Sequence, residues 1–261
     1  MSPVSRAQHD DPPGAQTPAI GFWHRVEAIA RSRRHGIALV GGALGLFTIL
    51  TVLVVTEFGP LMRVDESFNR GIVEGRQGWL DPIMNFITEL GGRAVIGSFL
   101  LVLTFWMLRT ARCRHVLIVL WVAFAVNPAL EATLKWLVGR DRPNLLQLRN
   151  GSGPSFPSGH VLATVGFFGV LAVVAWKSAL SRRVRITVFG VSTAMILGVG
   201  FSRMYLGVHW FTDVIGGFLI GTVYVVVVGQ ALRDHHAGRH HACSRSGAPR
   251  DSESTPSSLS R

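Results

Sequence analysis

The sequence predicts an all-α fold, a polytopic bundle of membrane-spanning helices, and three observations predict it. Only 16% of the 261 residues are charged against 48% hydrophobic, with mean hydropathy +0.36, whereas a soluble domain carries about 25% charged residues. Residues 36–56, GIALVGGALGLFTILTVLVVT, hold no charge over a length that crosses about 30 Å of hydrocarbon. Five further apolar segments follow, at roughly 94–108, 116–134, 161–176, 186–202 and 210–232. Several are shorter than the ~18 uncharged residues that identify a span alone. Taken singly, 94–108 and 161–176 also fit buried helices of a soluble protein; six in succession, joined by short polar connections, favour the membrane.

Three regions result: residues 1–35, residues 36–232 with six spans, and residues 233–261. In the first, residues 1–20 are a polar, proline-containing tail, and GFWHRVEAIARSRR sets Phe22, Trp23, Val26, Ile29 and Ala30 on one helical face with arginines elsewhere. That pattern suits a short helix lying in the membrane interface beside anionic lipid. The span at 36–56 is too long for the h-region of a signal peptide, and EFGP after it offers no small-x-small cleavage site. It is expected to stay as an anchor.

The longest connection, 59–93, contains WLDPIMNFITELGG, whose Leu80, Ile83, Met84, Phe86 and Ile87 predict an amphipathic helix resting on the bilayer. The last region, rich in Ser, Arg and His, is expected to be a disordered tail. Its His235, His236, His240 and His241 read as solvated rather than metal-binding, for want of supporting cysteines or acids.

Net charge is +11, but the basic residues are spread over the connections and read as topology signals, so no nucleic-acid partner is expected. With the N-terminus in the cytoplasm, 17 of the 26 Lys and Arg fall on the cytoplasmic side. The positive-inside rule then puts both termini in the cytoplasm and the protein in the cell (plasma or inner) membrane. Cys113 and Cys243 lie on the reducing side, where no disulfide is expected.

On this topology three external connections carry polar clusters. In KWLVGRDRP, Lys135 closes the third span and Arg142 follows two turns later, with Pro143 biasing it out of the helix. In PSFPSGH, Pro157, Ser158 and Gly159 break the chain just before the fourth span. The amide groups there lack internal acceptors and carry the positive end of the helix dipole, which suits an anion. His160 stands beside them as a proton donor. In SRMYLGVHWFTD, Arg203 ends the fifth span, and His209 and Asp213 sit at i and i+4 at the start of the sixth. An aspartate inside an apolar helix is costly and usually functional; here it can accept the Nδ1–H of His209 and leave Nε2 as nucleophile. Each cluster alone also reads as a headgroup anchor, a common turn or a helix-stitching ion pair. Three cations, a helix start, two histidines and a carboxylate on one face suit phosphoryl hydrolysis without a metal.

The spacings Lys135-x6-Arg142-Pro143, Pro157-Ser158-Gly159-His160 and Ser202-Arg203-x5-His209-x3-Asp213 resemble the tripartite signature of the type 2 phosphatidic acid phosphatases, the lipid phosphate phosphatases. The motifs lie within 135–213, and the six-span plan extends the likeness over about 36–232. The resemblance implies catalytic roles for three residues. His209 would attack phosphorus to form a phosphohistidine, Asp213 would hold it, and His160 would protonate the leaving oxygen and then activate water. It implies a phosphate site made by Lys135, Arg142, Ser158, Gly159 and Arg203, with no metal and no cofactor. Ser202 would have a packing or supporting role, and Glu131, outside the signature, either pairs with Lys135 or touches substrate, with packing the favoured reading. The soluble vanadium haloperoxidases share such a pocket, and six spans set this chain apart from them.

The expected substrate is a membrane lipid phosphate on the extracytoplasmic side: undecaprenyl pyrophosphate, phosphatidate or phosphatidylglycerophosphate. The motifs bind phosphate and do not separate these lipids, and the oligomeric state stays open. Two rivals use the same pocket, a membrane anion transporter or binding protein and a scaffold with a vestigial site. The first predicts polar residues throughout the spans, the second a broken motif position, and the sequence has neither.

Overall fold

The computed structural model of the chain describes residues 18–109, 114–144, 146–177 and 180–245, with side chains left out for 18–32, 114–116, 119, 123, 177 and 232–245. Those residues are helical throughout their ordered elements, with no strand. In chain order the helices are α1 (Pro18–Val55), α2 (Gly59–Glu74), α3 (Asp81–Leu90), α4 (Arg93–Arg109), α5 (Arg114–Val138), α6 (Gly159–Lys177), α7 (Arg182–Tyr205) and α8 (Phe211–Arg245).

Each apolar segment of the sequence becomes one of the long helices. Four of them, α1, α6, α7 and α8, are long and apolar enough to cross a membrane, and α3 with α4, bent by 50° at Gly91 and Gly92, makes a fifth candidate. Helix α5, with Glu131 and Lys135 in its last turns, is not among them. Two expected boundaries move. The interfacial helix and the first span are one continuous helix, α1, and the side chains of Phe22, Trp23, Val26, Ile29 and Ala30 lie outside the described set. The tail expected to be disordered from residue 233 begins as helix, because α8 continues to Arg245. Residues 246–261, Cys113 and the side chains of the four tail histidines and Cys243 are outside the described residues.

Helices α6 and α8 form the centre, α6 packing on both α7 and α8 and α1 packing on α8. Phe47, Val54, Phe156, Leu162 and Ile220 close one core, and Val161, Val165, Met204 and Val214 another. Close approach of α6 and α8 rests on two glycines. A Cβ at Gly217 would fall 2.8 Å from the Ser158 carbonyl oxygen, and one at Gly221 would fall 2.6 Å from Val165 Cβ; small residues at this spacing let helix backbones meet where burial of apolar surface drives little association. The outer faces of α1, α4 and α7 present Leu46, Ile49, Val102, Phe105, Phe189 and Leu197, all exposed. An apolar surface this extensive suits hydrocarbon as its solvent.

The 59–93 connection is two helices rather than one. α3 sets Leu80 and Met84 against Tyr205, Leu206 and Val208 at the end of α7, while Ile83 and Phe86 stay exposed. The amphipathic pattern therefore serves both a protein face and an outward face.

Candidate active site

Helices α5 and α7 end, and α6 and α8 begin, at the same end of the bundle, because these neighbours are joined there by the connections 139–158 and 206–210. The Ser158 amide donates to the Asp213 carbonyl (3.0 Å), and the Ser155 amide donates to the Arg140 carbonyl (2.8 Å), tying the three sequence clusters together.

A cavity of about 240 Å³ opens at this end. It is lined by Lys135, Arg142, Gly159, His160, Arg203 and His209 of the expected site, and by Arg93, Glu131 and Arg149, with glycines and polar loop residues between. Five cations against one carboxylate, at the positive end of α6, give the cavity a charge that suits an anion. The three sequence-distant motifs thus converge on one space.

His209 is buried, and its Nδ1 lies 3.3 Å from Asp213 Oδ2. The same carboxylate oxygen accepts from the Trp210 amide at 2.9 Å. An acceptor-only partner at Nδ1 places the proton there and leaves Nε2 with its lone pair. Burial, with help from the Arg203 and Arg142 charges and against the pull of Asp213, lowers the His209 pKa from its ordinary 6.5 to about 4. The imidazole is neutral at physiological pH and keeps the Nε2 lone pair.

Behind Asp213 stands a group the motif spacing did not reveal. Arg140 donates from Nη1 to Asp213 Oδ1 (2.7 Å) and to Thr212 Oγ1 (2.7 Å), and from Nη2 to Asp65 Oδ2 (2.6 Å). Asp65, on α2, also accepts from the Thr212 amide at 2.9 Å and the Thr212 hydroxyl at 2.5 Å. Asn69, one turn further along α2, donates to the His209 carbonyl at 3.1 Å. On α3, Thr88 accepts from Arg203 Nη1 at 2.9 Å. The helices of the 59–93 connection therefore buttress the third motif from outside. Their sequence signal was slight, a polar Asp65, Asn69 and Thr88 beside apolar neighbours, and their burial is seen only in the structure.

The remaining site residues divide. Lys135 pairs with Glu131 (2.8 Å), which also meets Arg93 at 3.4 Å and borders the cavity. Arg142 lines the cavity, yet its guanidinium donates to main-chain carbonyls: Gly153 (2.9 Å), Ser152 (2.9 Å), Val208 (2.7 Å) and Pro154 (3.4 Å). Burial lowers its pKa, opposed by Asp213 and Glu131. Ser158 does not line the cavity; it is fully buried and its Oγ has no hydrogen-bond partner. Ser202 donates from its hydroxyl to the Val199 carbonyl within its own helix. Arg149, which pairs with Glu89, joins the cavity from a loop that carried no motif.

The family model described as the PAP2 superfamily matches residues 115–236. Phosphatidylglycerophosphatase B of Bacillus subtilis is 32% identical over 184 residues, covering 70% of this chain and 89% of that protein. A putative undecaprenyl-diphosphatase, YbjG, of Escherichia coli is 33% identical over 143 residues, covering 51% of this chain and 67% of the other. Among solved structures, the transmembrane PAP2-type phosphatidylglycerolphosphate phosphatase of Bacillus subtilis superposes with TM-score 0.69 at 26% identity, over 75% of this chain and 96% of that one. With three motifs converged on one cationic cavity and a relative matched over nearly its whole length, the chain belongs to the PAP2 superfamily.

Proposed function

We propose that the chain is an integral-membrane phosphatase that removes the terminal phosphate of a lipid phosphomonoester or pyrophosphate through a phosphohistidine, without a metal, in an extracytoplasmic site. Phosphatidylglycerophosphate and undecaprenyl pyrophosphate lead the substrates, because relatives carry those activities in their names, with phosphatidate beside them. The observation that carries the reading is the placement of His160 and His209 on one cavity with Lys135, Arg142, Arg203 and Gly159, and Asp213 behind His209.

In the first step the His209 Nε2 lone pair forms a bond to phosphorus as the bond to the leaving oxygen breaks, and His160 delivers a proton to that oxygen. In the second, His160 takes a proton from water, whose oxygen bonds to phosphorus as the N–P bond breaks, restoring neutral His209 and releasing phosphate. Lys135, Arg203 and the start of α6 neutralise the equatorial oxygens, with Arg142 shaping the loop that covers them and Ser158 supporting the turn. Six spans, with α4 and α5 completing the set, would keep both termini on one side, and the distribution of Lys and Arg favours the cytoplasm for it.

The test is phosphate release by the purified chain in EDTA, compared by kcat/KM across short-chain phosphatidylglycerophosphate, phosphatidate and farnesyl pyrophosphate. Base-quench of a reaction 32P-labelled in the transferred phosphate should trap label on wild-type protein, released again by acid as a phosphoramidate requires, and none on His209→Ala. Turnover in His209→Ala should fall by several orders of magnitude, since a covalent route needs its nucleophile. His160→Ala should lower turnover ~10²–10⁴-fold, the usual worth of a positioned acid or base, while sparing phosphate binding. Full activity in His209→Ala, or activity abolished by EDTA, would overturn the mechanism.

A further inference from the structure

Among the residues lining the cavity, Glu131 is the one acid. Its carboxylate lies 2.8 Å from Lys135 Nζ and 3.4 Å from Arg93 Nη1. It also lies directly over Gly159, the first residue of α6: a Cβ built on Gly159 would fall 1.9 Å from Glu131 Oε1. The carboxylate thus pairs with the lysine and lies against the helix start, the two features an incoming phosphoryl group needs, since the unpaired amides of a helix start attract anions. Only glycine at 159 permits that approach.

This arrangement has a consequence for selection among lipids. Most bilayer phospholipids present a phosphodiester, which carries one negative charge, as the carboxylate does. A terminal phosphate carries about −1.5 to −2 near pH 7. A carboxylate on the same helix as Lys135 competes as an intramolecular ligand, at an effective concentration of order mM or more. A monoanionic headgroup gains nothing electrostatically by replacing it, whereas a dianionic one does. Arg93, at the start of α4 and more than half exposed, gives the displaced carboxylate a second cation within reach.

We propose that Glu131 is a specificity-determining residue: a tethered carboxylate that holds Lys135 and the start of α6 against phosphodiester headgroups and yields them to a terminal phosphate. The inference rests on reading the cavity as the phosphate site.

The experiment uses the full chain in detergent micelles as wild type, Glu131→Gln, Arg93→Gln and the double variant. Orthovanadate binding is followed by thermal shift and by inhibition of short-chain phosphatidate hydrolysis, and short-chain phosphatidylglycerol serves as the phosphodiester competitor. Removing the intramolecular competitor should tighten vanadate about tenfold or more in Glu131→Gln and make that variant sensitive to phosphatidylglycerol at concentrations the wild type tolerates. Unchanged or weaker vanadate binding, or continued indifference to the phosphodiester, overturns the role of Glu131. Arg93→Gln should weaken vanadate more in the wild-type background than beside Glu131→Gln; an equal loss in both backgrounds overturns the part given to Arg93. Failure of the wild type to bind vanadate would instead sink the phosphate-site reading, and this inference with it.

Discussion

Arg140 is the residue whose importance the structure adds most clearly. Its guanidinium is the shared partner of two buried carboxylates, Asp65 and Asp213, each 1% or less exposed in its side chain. Removing one member of a buried ionic set leaves an uncompensated charge, at a cost of about 3–5 kcal/mol. Arg140→Gln should therefore lower thermal stability in micelles sharply, and adding Asp65→Asn should restore part of the loss by rebalancing charge. Two additive losses would mean that the pair is not coupled. His209 makes a pH prediction. Its folded pKa, about 4, lies below the ordinary 6.5, so between those values the unfolded chain binds a proton that the folded chain does not. Stability should fall as pH drops from 6.5 towards 4, and the acid limb of phosphoryl transfer set by the nucleophile should lie near 4. A limb at 6.5 in single-turnover measurements, abolished with His209 itself, would show an exposed imidazole instead.

At the scale of the helices, the site is held together by the α6–α8 contact, because α6 carries Gly159 and His160 at its start and α8 follows His209 and carries Asp213. Gly221→Leu forces a side chain into Val165 and should push the two helix starts apart, costing about 1–3 kcal/mol by overpacking and most of the turnover. Gly190→Ala on α7 is the control: its Cβ meets nothing within 4 Å, and the change should be neutral or stabilising by up to about 1 kcal/mol. Equal effects in thermal unfolding would refute the packing argument. Helices α2 and α3 show why part of the site was not legible. Asp65, Asn69 and Thr88 reach partners more than a hundred residues away in sequence. No local periodicity encodes such a pairing, whereas the amphipathic character of α3 was readable from hydrophobic spacing alone.

The whole molecule puts its polar cavity at one end and the α6–α7 connection at the other. Ser152, in the 139–158 loop, and Ser181, the N-cap of α7, are both exposed and mark those ends. In a background without Cys113 and Cys243, a cysteine at Ser152 should react with a membrane-impermeant maleimide on intact cells, and one at Ser181 only after permeabilisation. The reverse pattern would turn the protein over and place the cavity in the cytoplasm. Legibility differed by scale here too. The apolar segments were plain because a hydrophobic stretch is a local property, although several are too short to identify a span alone, and their ends were not plain. α1 absorbs the interfacial helix and α8 absorbs the first turns of the tail, since no proline at either junction breaks the helix.

By itself the sequence determined that the chain is helical and apolar, and it determined the residue types and spacings of the three clusters, because length, charge and motif are local properties of the chain. Only the tertiary structure decided that the clusters share one cavity, that Arg140 and Asp65 stand behind Asp213, and that Glu131 lies over Gly159. Those are contacts between distant segments, fixed by how closely α5, α6 and α8 can pack.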